Sequence, residues 1–338
     1  MTARKSMHLG MQPTIEVVNG EMTWSNHWDH FLARIGVNRM GHRVKPGLYA
    51  LGKPSPDSPV FVTANYTLSF DELRSYLRGM SCYIMVVDTL GVNVWCAAGK
   101  GTFGTDEVVR RIGATMLAKV VKHRRLILPQ LSASGVSAFD VKKRSSFTVE
   151  FGPVRAQDIP AFMETGKATT EMRRVRFDLK DRLVVIPVEI RQALLPMIVA
   201  AVALYFLCGI LSVMAVLVAV LAGTALFPIL LPWIPTKDFS TKGFILGILI
   251  AIPFALIFFA GNQSSALWMK TAFALGFSLL MAPVTSYFAL NFTGSTPFTS
   301  RSGVRREIFR YIPFLAIVLV VGVILYVMPF LMEYVGAS

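Results

Sequence analysis

The chain has 338 residues, 54% of them hydrophobic and 16% charged, with 34 basic and 20 acidic residues for a net charge of +14. That is too apolar for a disordered chain or an ordinary soluble one, where about 25% of residues are charged. Three cysteines, Cys82, Cys96 and Cys208, exclude a disulfide scaffold and a self-contained iron–sulfur cluster, which needs about four thiolates.

The apolar surplus is uneven. Residues 1–191 hold 27 Lys and Arg and 17 Asp and Glu, against 7 and 3 in residues 192–338. Two regions follow: a basic domain with a basic linker over residues 1–190, and a membrane region over 191–338. The first dozen residues, MTARKSMHLGMQ, lack an apolar stretch, so no cleavable signal peptide is expected. Residues 1–45 read as helical and irregular, with Trp24, Trp28 and Phe31 on one helical face, expected in the core.

After Pro46 short apolar runs alternate with amphipathic ones. Pro59–Thr63 reads as a strand. Ser69–Gly79 reads as a helix with a Ser69/Glu72 capping box. Cys82–Asp88 reads as a buried strand and Asn93–Trp95 as a short one. Thr105–Lys122 reads as a helix capped by Thr105, Leu126–Leu128 as a strand, and 137–191 as further strand and loop. The alternation predicts an α/β, Rossmann-like domain with a mostly parallel sheet covered on both faces. Ligands in such sheets bind beyond the carboxyl ends of the strands. That rim gathers Ala64–Tyr66, Asp88–Val92, Cys96–Gly104 and Pro129–Val136.

The segment from Gly91 to Thr105, GVNVWCAAGKGTFGT, is the most informative. It is not a P-loop, because Val94 and Gly101 stand where that motif needs Gly and Ser or Thr. No second cysteine is near enough for a redox pair. What remains is one cysteine among small residues that let a flat ligand approach the backbone. If Cys96 opens a helical turn, free N–H groups and Lys100 favour its thiolate, the metal-binding form. Spacing alone leans toward a structural cysteine beside a tight turn. Cys82 reads as core packing. Cys208 reads as helix packing, with a soft-metal relay as the alternative.

The membrane region is all-α by expectation. Ala193–Pro235 carries no charge over 43 residues, about 64 Å as one helix and twice a ~30 Å hydrocarbon core. It therefore makes two spans, turning near Cys208–Ser212. Gly243–Gly261, Ala266–Phe292 and Tyr311–Val335 complete five transmembrane helices. Basic residues flank alternate ends: Arg173, Arg174, Arg176, Lys180, Arg182 and Arg191 before the first span, Lys237 and Lys242 after the second, and Arg301, Arg305, Arg306 and Arg310 before the fifth. The GNQSS loop between spans three and four has no charge. The positive-inside rule then puts the N-terminal domain in the cytoplasm and the C-terminus outside the inner membrane. Intramembrane carboxylates and histidines are lacking, which favours an anchor over a conduit. The basic runs Lys122–Arg125, Lys142–Arg144 and Arg173–Arg176 suit an acidic partner or anionic lipid. No recognition motif accompanies them, so nucleic acid is disfavoured.

The run Asn93–Lys100, N-V-W-C-A-A-G-K, resembles the signature of the HgcA family of mercury-methylating corrinoid proteins. P-G-L-Y (Pro46–Tyr49), V-T-A-N-Y (Val62–Tyr66) and P-Q-L (Pro129–Leu131) are similar to the corrinoid-binding domain of the corrinoid iron–sulfur protein large subunit. The resemblance covers about residues 30–190 by motif and the remainder by layout. It implies a bound corrinoid of the B12 type, with Cys96 as lower axial ligand to cobalt. It implies contacts to the corrin from Thr63, Ala64, Asn65 and Tyr66, and from Asn93, Val94, Trp95, Cys96, Ala97, Ala98, Gly99, Lys100, Gly101, Thr102 and Phe103. It also implies methyl transfer to Hg(II), a methyl-tetrahydrofolate-derived donor system and, since cluster cysteines are missing here, an HgcB-type ferredoxin as electron donor. The histidine-ligand motif D-x-H-x-x-G is absent, and His27, His42 and His123 read as surface or packing residues. A corrinoid carrier for another acceptor, or a cobamide-binding membrane module without transfer, remains open.

Overall fold

The computed structural model describes residues 12–261, 266–296 and 300–334. The signal-peptide expectation, most of the GNQSS loop and Val335 lie outside these residues. The chain forms two compact units: the described part of Met1–Ala33 with Val37–Val175, and Arg34–Gly36 with the described part of Arg176–Ser338. The units divide at Val175/Arg176, and the helix expected to start near Ala193 starts at Leu179.

The first unit is a six-stranded sheet with β1 (Ile15–Val18), β2 (Gly47–Leu51), β3 (Val60–Ala64), β4 (Cys82–Val87), β5 (Arg125–Leu128) and β6 (Thr148–Phe151). Their order is β1-β2-β4-β3-β5-β6. All neighbours are parallel except β2 and β4, which pair antiparallel with Leu48 opposite Met85. Its helices are α1 (Trp24–Arg34), α2 (Thr67–Tyr76), α3 (Val94–Lys100), α4 (Thr105–Ala114), α5 (Leu117–Val120), α6 (Ala138–Ser145), α7 (Ile159–Thr165) and α8 (Thr170–Arg173). Side-chain alternation along the strands sorts two cores. Val60, Val62, Tyr83, Met85 and Val87 pack with Val108, Ile112 and Val141 of α4 and α6. On the other face Phe61, Cys82, Ile84 and Val86 pack with Phe70, Leu73 and Leu77 of and after α2, and with Phe162 of α7. The mixed α/β architecture covered on both faces is therefore as expected.

Several local expectations are corrected. Ile15–Val18 is a strand. Trp24, Trp28 and Phe31 share a face of α1, but that face is exposed and not core. Helix α2 starts at Thr67, because the chain turns into it directly from β3, with Tyr66 as N-cap and no capping box at Ser69. Asn93–Trp95 is not a strand: Asn93 caps α3 through its side chain. The Thr105–Lys122 helix is two, broken where Met116 adopts a left-handed φ of 48°, and Gly104 is its cap. Residues 137–191 are largely helical.

The second unit holds α9 (Leu179–Cys208), α10 (Ile210–Leu221), α11 (Phe227–Leu230), α12 (Phe239–Gly261), α13 (Leu267–Asn291) and α14 (Arg301–Tyr334). A π-helical turn at Ala222–Leu226 joins α10 to α11. Five of these segments are long and apolar enough to cross a membrane. Gly209, at φ 77°, makes the turn expected near Cys208–Ser212. Helices α12 and α13 approach closely at Gly243 and Gly247, where an added Cβ would stand 2.4 Å from Ala289 Cβ and 2.5 Å from Ala282 Cα. This is the small-xxx-small packing of membrane helices.

The helices extend past the apolar runs into charged sequence, because charges satisfy helix ends. Arg182 Nη1 donates to the carbonyls of Pro228 (3.0 Å) and Ile229 (2.7 Å). Lys242 Nζ donates to those of Leu231 (2.9 Å) and Ile234. Glu307 Oε1 accepts from Ser240 N at 2.6 Å. Cations thus sit on C-terminal carbonyls and a carboxylate on an N-terminal amide, the arrangement orphaned helix-end groups require.

Candidate functional site

The carboxyl ends of β3, β4 and β5 share one rim because these strands are parallel. Strand β4 lies on one side of β3 and β5 on the other, so the chain reverses direction across the sheet at β3, the switch point where such folds bind ligands.

Asn65, directly after β3, is 2% exposed and organises the next loop. Its Oδ1 accepts from Thr89 N (3.0 Å), Thr89 Oγ1 (2.9 Å) and Gly91 N (3.0 Å), and its Nδ2 donates to Asp88 Oδ1 at 3.1 Å. Glu107, in the first turn of α4, accepts from Asp88 N at 2.8 Å. Arg111 pairs with the same carboxylate at 2.8 Å. The Asp88–Gly91 turn is therefore held from both sides, and it delivers the chain into α3.

Helix α3 carries Cys96 in its first turn. Cys96 N is not free: it donates to Asn93 Oδ1 at 2.9 Å. One of the amides expected to be free beside the thiol is thus engaged in a capped turn. Cys96 itself is half-buried. Val94, Ala97 and Ala98 form the buried face of α3, while Asn93, Trp95, Gly99 and Lys100 are exposed. Lys100 stands four residues after Cys96, one turn along the same face. Gly101 ends the helix at φ 86°. At Gly99 an added Cβ would meet nothing within 4 Å. A helical glycine costs about 1 kcal/mol against alanine, and nothing inside the chain needs this one to be small. Open space over Gly99 and Gly101 beside a half-buried thiol is what a wide, flat ligand on this face would use.

The third rim loop meets α3 at Gly135, whose added Cβ would stand 2.4 Å from Phe103 O and 2.9 Å from Ala98 O. Ser137 N donates to Thr105 Oγ1 at 2.9 Å. The loop lies flat on the backbone that carries Cys96.

Of the residues singled out in the sequence, Tyr66, Cys96 and Thr102 are partly exposed, and Asn93, Trp95, Gly99, Lys100 and Gly101 are exposed. Thr63, Ala64, Asn65, Val94, Ala97, Ala98 and Phe103 are buried and shape the rim from beneath. Sequence reasoning missed Glu107 and Gly135. An acidic first turn in α4 and a lone glycine in the loop after β5 were their signals. His42 is buried and not a surface residue: Nδ1 contacts Asp29 Oδ1 at 2.6 Å and Nε2 the Val37 carbonyl at 2.7 Å. Cys82 is fully buried, and burial pushes its thiol up to about 12, which suits packing and not ligation. Among the described residues no three His, Cys, Asp or Glu side chains gather as a metal site.

The family model of the CO dehydrogenase/acetyl-CoA synthase delta subunit matches residues 38–163. The chain is also similar to subunit gamma of the acetyl-CoA decarbonylase/synthase complex. The Methanopyrus kandleri protein is 32% identical over 128 residues, which cover 37% of this chain and 27% of the relative. The Archaeoglobus fulgidus protein is 32% identical over 124 residues, 36% and 26%. The Methanocaldococcus jannaschii protein is 30% identical over 127 residues, 37% and 26%. The chain thus matches about a quarter of the length of these relatives. The family match spans strands β2–β6 with α3, and ends before the first membrane helix.

Proposed function

We propose that this chain is a membrane-anchored corrinoid methyltransferase whose acceptor is Hg(II). The observation that carries the reading is Cys96: a half-buried thiol in a capped turn on the strand-end rim, beside open glycine backbone, within the segment similar to the acetyl-CoA synthase subunits. The Asn93–Lys100 run and the motifs around it are those that resemble mercury-methylating and corrinoid iron–sulfur proteins.

The residues present fit a corrinoid. A soft thiolate is an apt single donor to cobalt, and the exposed face over Gly99 and Gly101 leaves room for a macrocycle. Bound there, a corrinoid would supply cobalt-centred methyl-carrier chemistry. Cys96 would hold the metal as an anionic sulfur donor, a character that would favour handing methyl to a soft cation such as Hg(II). Asn93 fixes the cysteine's turn, Asn65 and Glu107 fix the loop before it, and Tyr66, Trp95 and Thr102 border the ligand. Three cysteines cannot build a cluster, so an HgcB-type ferredoxin delivers electrons, and a methyl-tetrahydrofolate-derived system delivers methyl. The five apolar helices and the basic segments beside them support a reaction at the inner membrane with the first unit on the cytoplasmic side.

The test is purification under anaerobic conditions, an absorption spectrum, and assay of methylmercury from Hg(II) with reductant. We expect a bound corrinoid and methylation that Cys96→Ala abolishes. A corrinoid-loaded Cys96→Ala protein methylating mercury at the unaltered rate would overturn the thiolate role. A cofactor-free protein that takes up no cobamide would overturn the whole reading.

A further inference from the structure

Helix α1 is amphipathic in the reverse of the usual sense. Its polar side faces the domain. Asn26 Nδ2 donates to Asp71 Oδ2 at 3.3 Å, and His30 Nε2 meets the same oxygen at 2.9 Å. Asp29 engages His42 at 2.6 Å and accepts from Thr67 Oγ1 at 2.6 Å. The partners are themselves anchored, Asp71 accepting from Arg74 Nε at 2.7 Å. Pinned this way, the helix turns its apolar side outward: Trp24 is 82% exposed, Trp28 54% and Phe31 49%. These positions are i, i+4 and i+7, one face of a helix. Trp28 and Phe31 stack with ring centroids 5.3 Å apart. Surface helices normally bury such a face, so this one requires a cover.

We propose that the α1 face seats in the interface of the bilayer that holds this chain's own spans, against anionic lipid. Three observations select lipid as occupant. The chain has five helices long and apolar enough to cross a membrane; with these in a bilayer, docking is intramolecular and a shallow contact suffices. Tryptophan favours the headgroup–acyl boundary, where its ring is apolar and its N–H stays wet. Between Met22 and Lys45 the sole carboxylate is Asp29, already engaged, whereas Arg34, Arg39 and Arg43 are all exposed; Lys45, also exposed, pairs with Glu16 at 3.2 Å. Near an anionic surface each such cation contributes about 1 kcal/mol. Met40, 49% exposed, extends the apolar patch among them. A protein partner fits less well. Three partly exposed rings offer on the order of 400 Å², about half of what one side of a stable protein interface buries.

The test uses the full chain in nanodiscs, with Trp95, Trp233 and Trp268 replaced by Phe so that Trp24 and Trp28 report alone. In phosphatidylglycerol-containing discs we expect lipids brominated on the acyl chain to quench most of the emission and aqueous iodide to quench little of it. Replacing phosphatidylglycerol with phosphatidylcholine should weaken the bromolipid effect severalfold. Hydroxyl-radical footprinting of the unaltered chain in the same discs needs no substitution. There Trp24 and Trp28 should be protected, while Phe139, 74% exposed, is labelled. Quenching by iodide and not by bromolipid, with both tryptophans labelled, would overturn the proposal. So would shielding from both quenchers that appears only at high protein concentration, which would assign the face to a second copy.

Discussion

Cysteine chemistry separates at the level of single side chains. Cys82 is fully buried in a strand, with its thiol pushed up to about 12, whereas Cys96 is half-buried on the rim. We expect iodoacetamide at pH 8 to alkylate Cys96 in the cofactor-free protein and to leave Cys82 unmodified until the protein unfolds. Peptide mass spectrometry reads both, and a Cys82 labelled at the rate of Cys96 would contradict the burial argument. Cys96→His is the sharper variant, since it retains a donor but exchanges an anionic sulfur for neutral nitrogen. Corrinoid should stay bound, with a changed absorption spectrum, while methyl transfer falls. A second residue-scale prediction concerns His42. Burial pulls its pKa down, but hydrogen bonds to the Val37 carbonyl and the Asp29 carboxylate, with that carboxylate's charge, outweigh it and raise the value above 6.5. Both ring nitrogens face acceptors, which favours the imidazolium in the folded state. A pKa raised on folding adds stability that is complete below the unfolded value and lost as pH rises through the folded one. The thermal midpoint of the first unit should therefore fall as pH is raised above 6.5. His42→Gln should cost roughly 1.5–3 kcal/mol at pH 6 and flatten that slope. An unchanged slope in the variant would assign the pH dependence elsewhere.

At the scale of elements, Gly99 divides ligand binding from folding. It lies inside α3 with no atom near its absent side chain, so Gly99→Ala should stabilise the cofactor-free unit by about 0.5–1 kcal/mol. If the open backbone is where the corrin lies, the same methyl group should lower cobamide affinity. Urea unfolding and equilibrium titration with cobamide measure the two effects, and a rise in stability with undiminished affinity would remove Gly99 from the contact surface. The strand–helix alternation from Val60 to Leu128 was legible because the buried strands there are continuous apolar runs between helices, whereas β2 (Gly47–Leu51) was not read as a strand. What failed was local. The run VNVW carries β-favouring residues, yet Asn93 caps a helix there, since side-chain capping outweighs strand propensity over three residues. Ile15–Val18 pairs on one edge with β2 alone, and four residues beside an irregular helix carry too little periodicity to be read. Thr63 and Ala64 end β3 and Asn65 follows it directly. The role of Asn65 as clasp of the Asp88–Gly91 turn depends on partners more than 20 residues away, which no local pattern discloses. The outward face of α1 was misread for a related reason: its inward anchors, Thr67 and Asp71, come from a different helix.

For the whole molecule, the first question is which way the spans run. Five helices are long and apolar enough to cross, and their charged extensions are not evenly shared. Arg173, Arg174, Arg176, Lys180, Arg182 and Arg191 precede or begin the first. Lys237 and Lys242 stand between the second and third, and Arg305, Arg306 and Arg310 begin the fifth. Crossing five times would put every one of these groups on one side, and the positive-inside rule predicts that side to be the cytoplasmic one. The buried pairings reinforce that count, because Arg182 of α9 caps carbonyls at the end of α11 and Glu307 of α14 caps the start of α12. The start of the first span, the end of the second and the starts of the third and fifth therefore lie at the same level. Merging α9 with α10, or withdrawing α12, would break these bonds and send Lys237 and the Arg305 cluster to opposite faces. A reporter fused after Ser338 should consequently be active in the extracytoplasmic compartment, and one inserted at residues 300–302 in the cytoplasm. Alkaline phosphatase and fluorescent-protein fusions at the two positions read this directly. Both reporters active on the same side would eliminate five crossings, and with them the assignment of the cysteine-bearing unit to the cytoplasm.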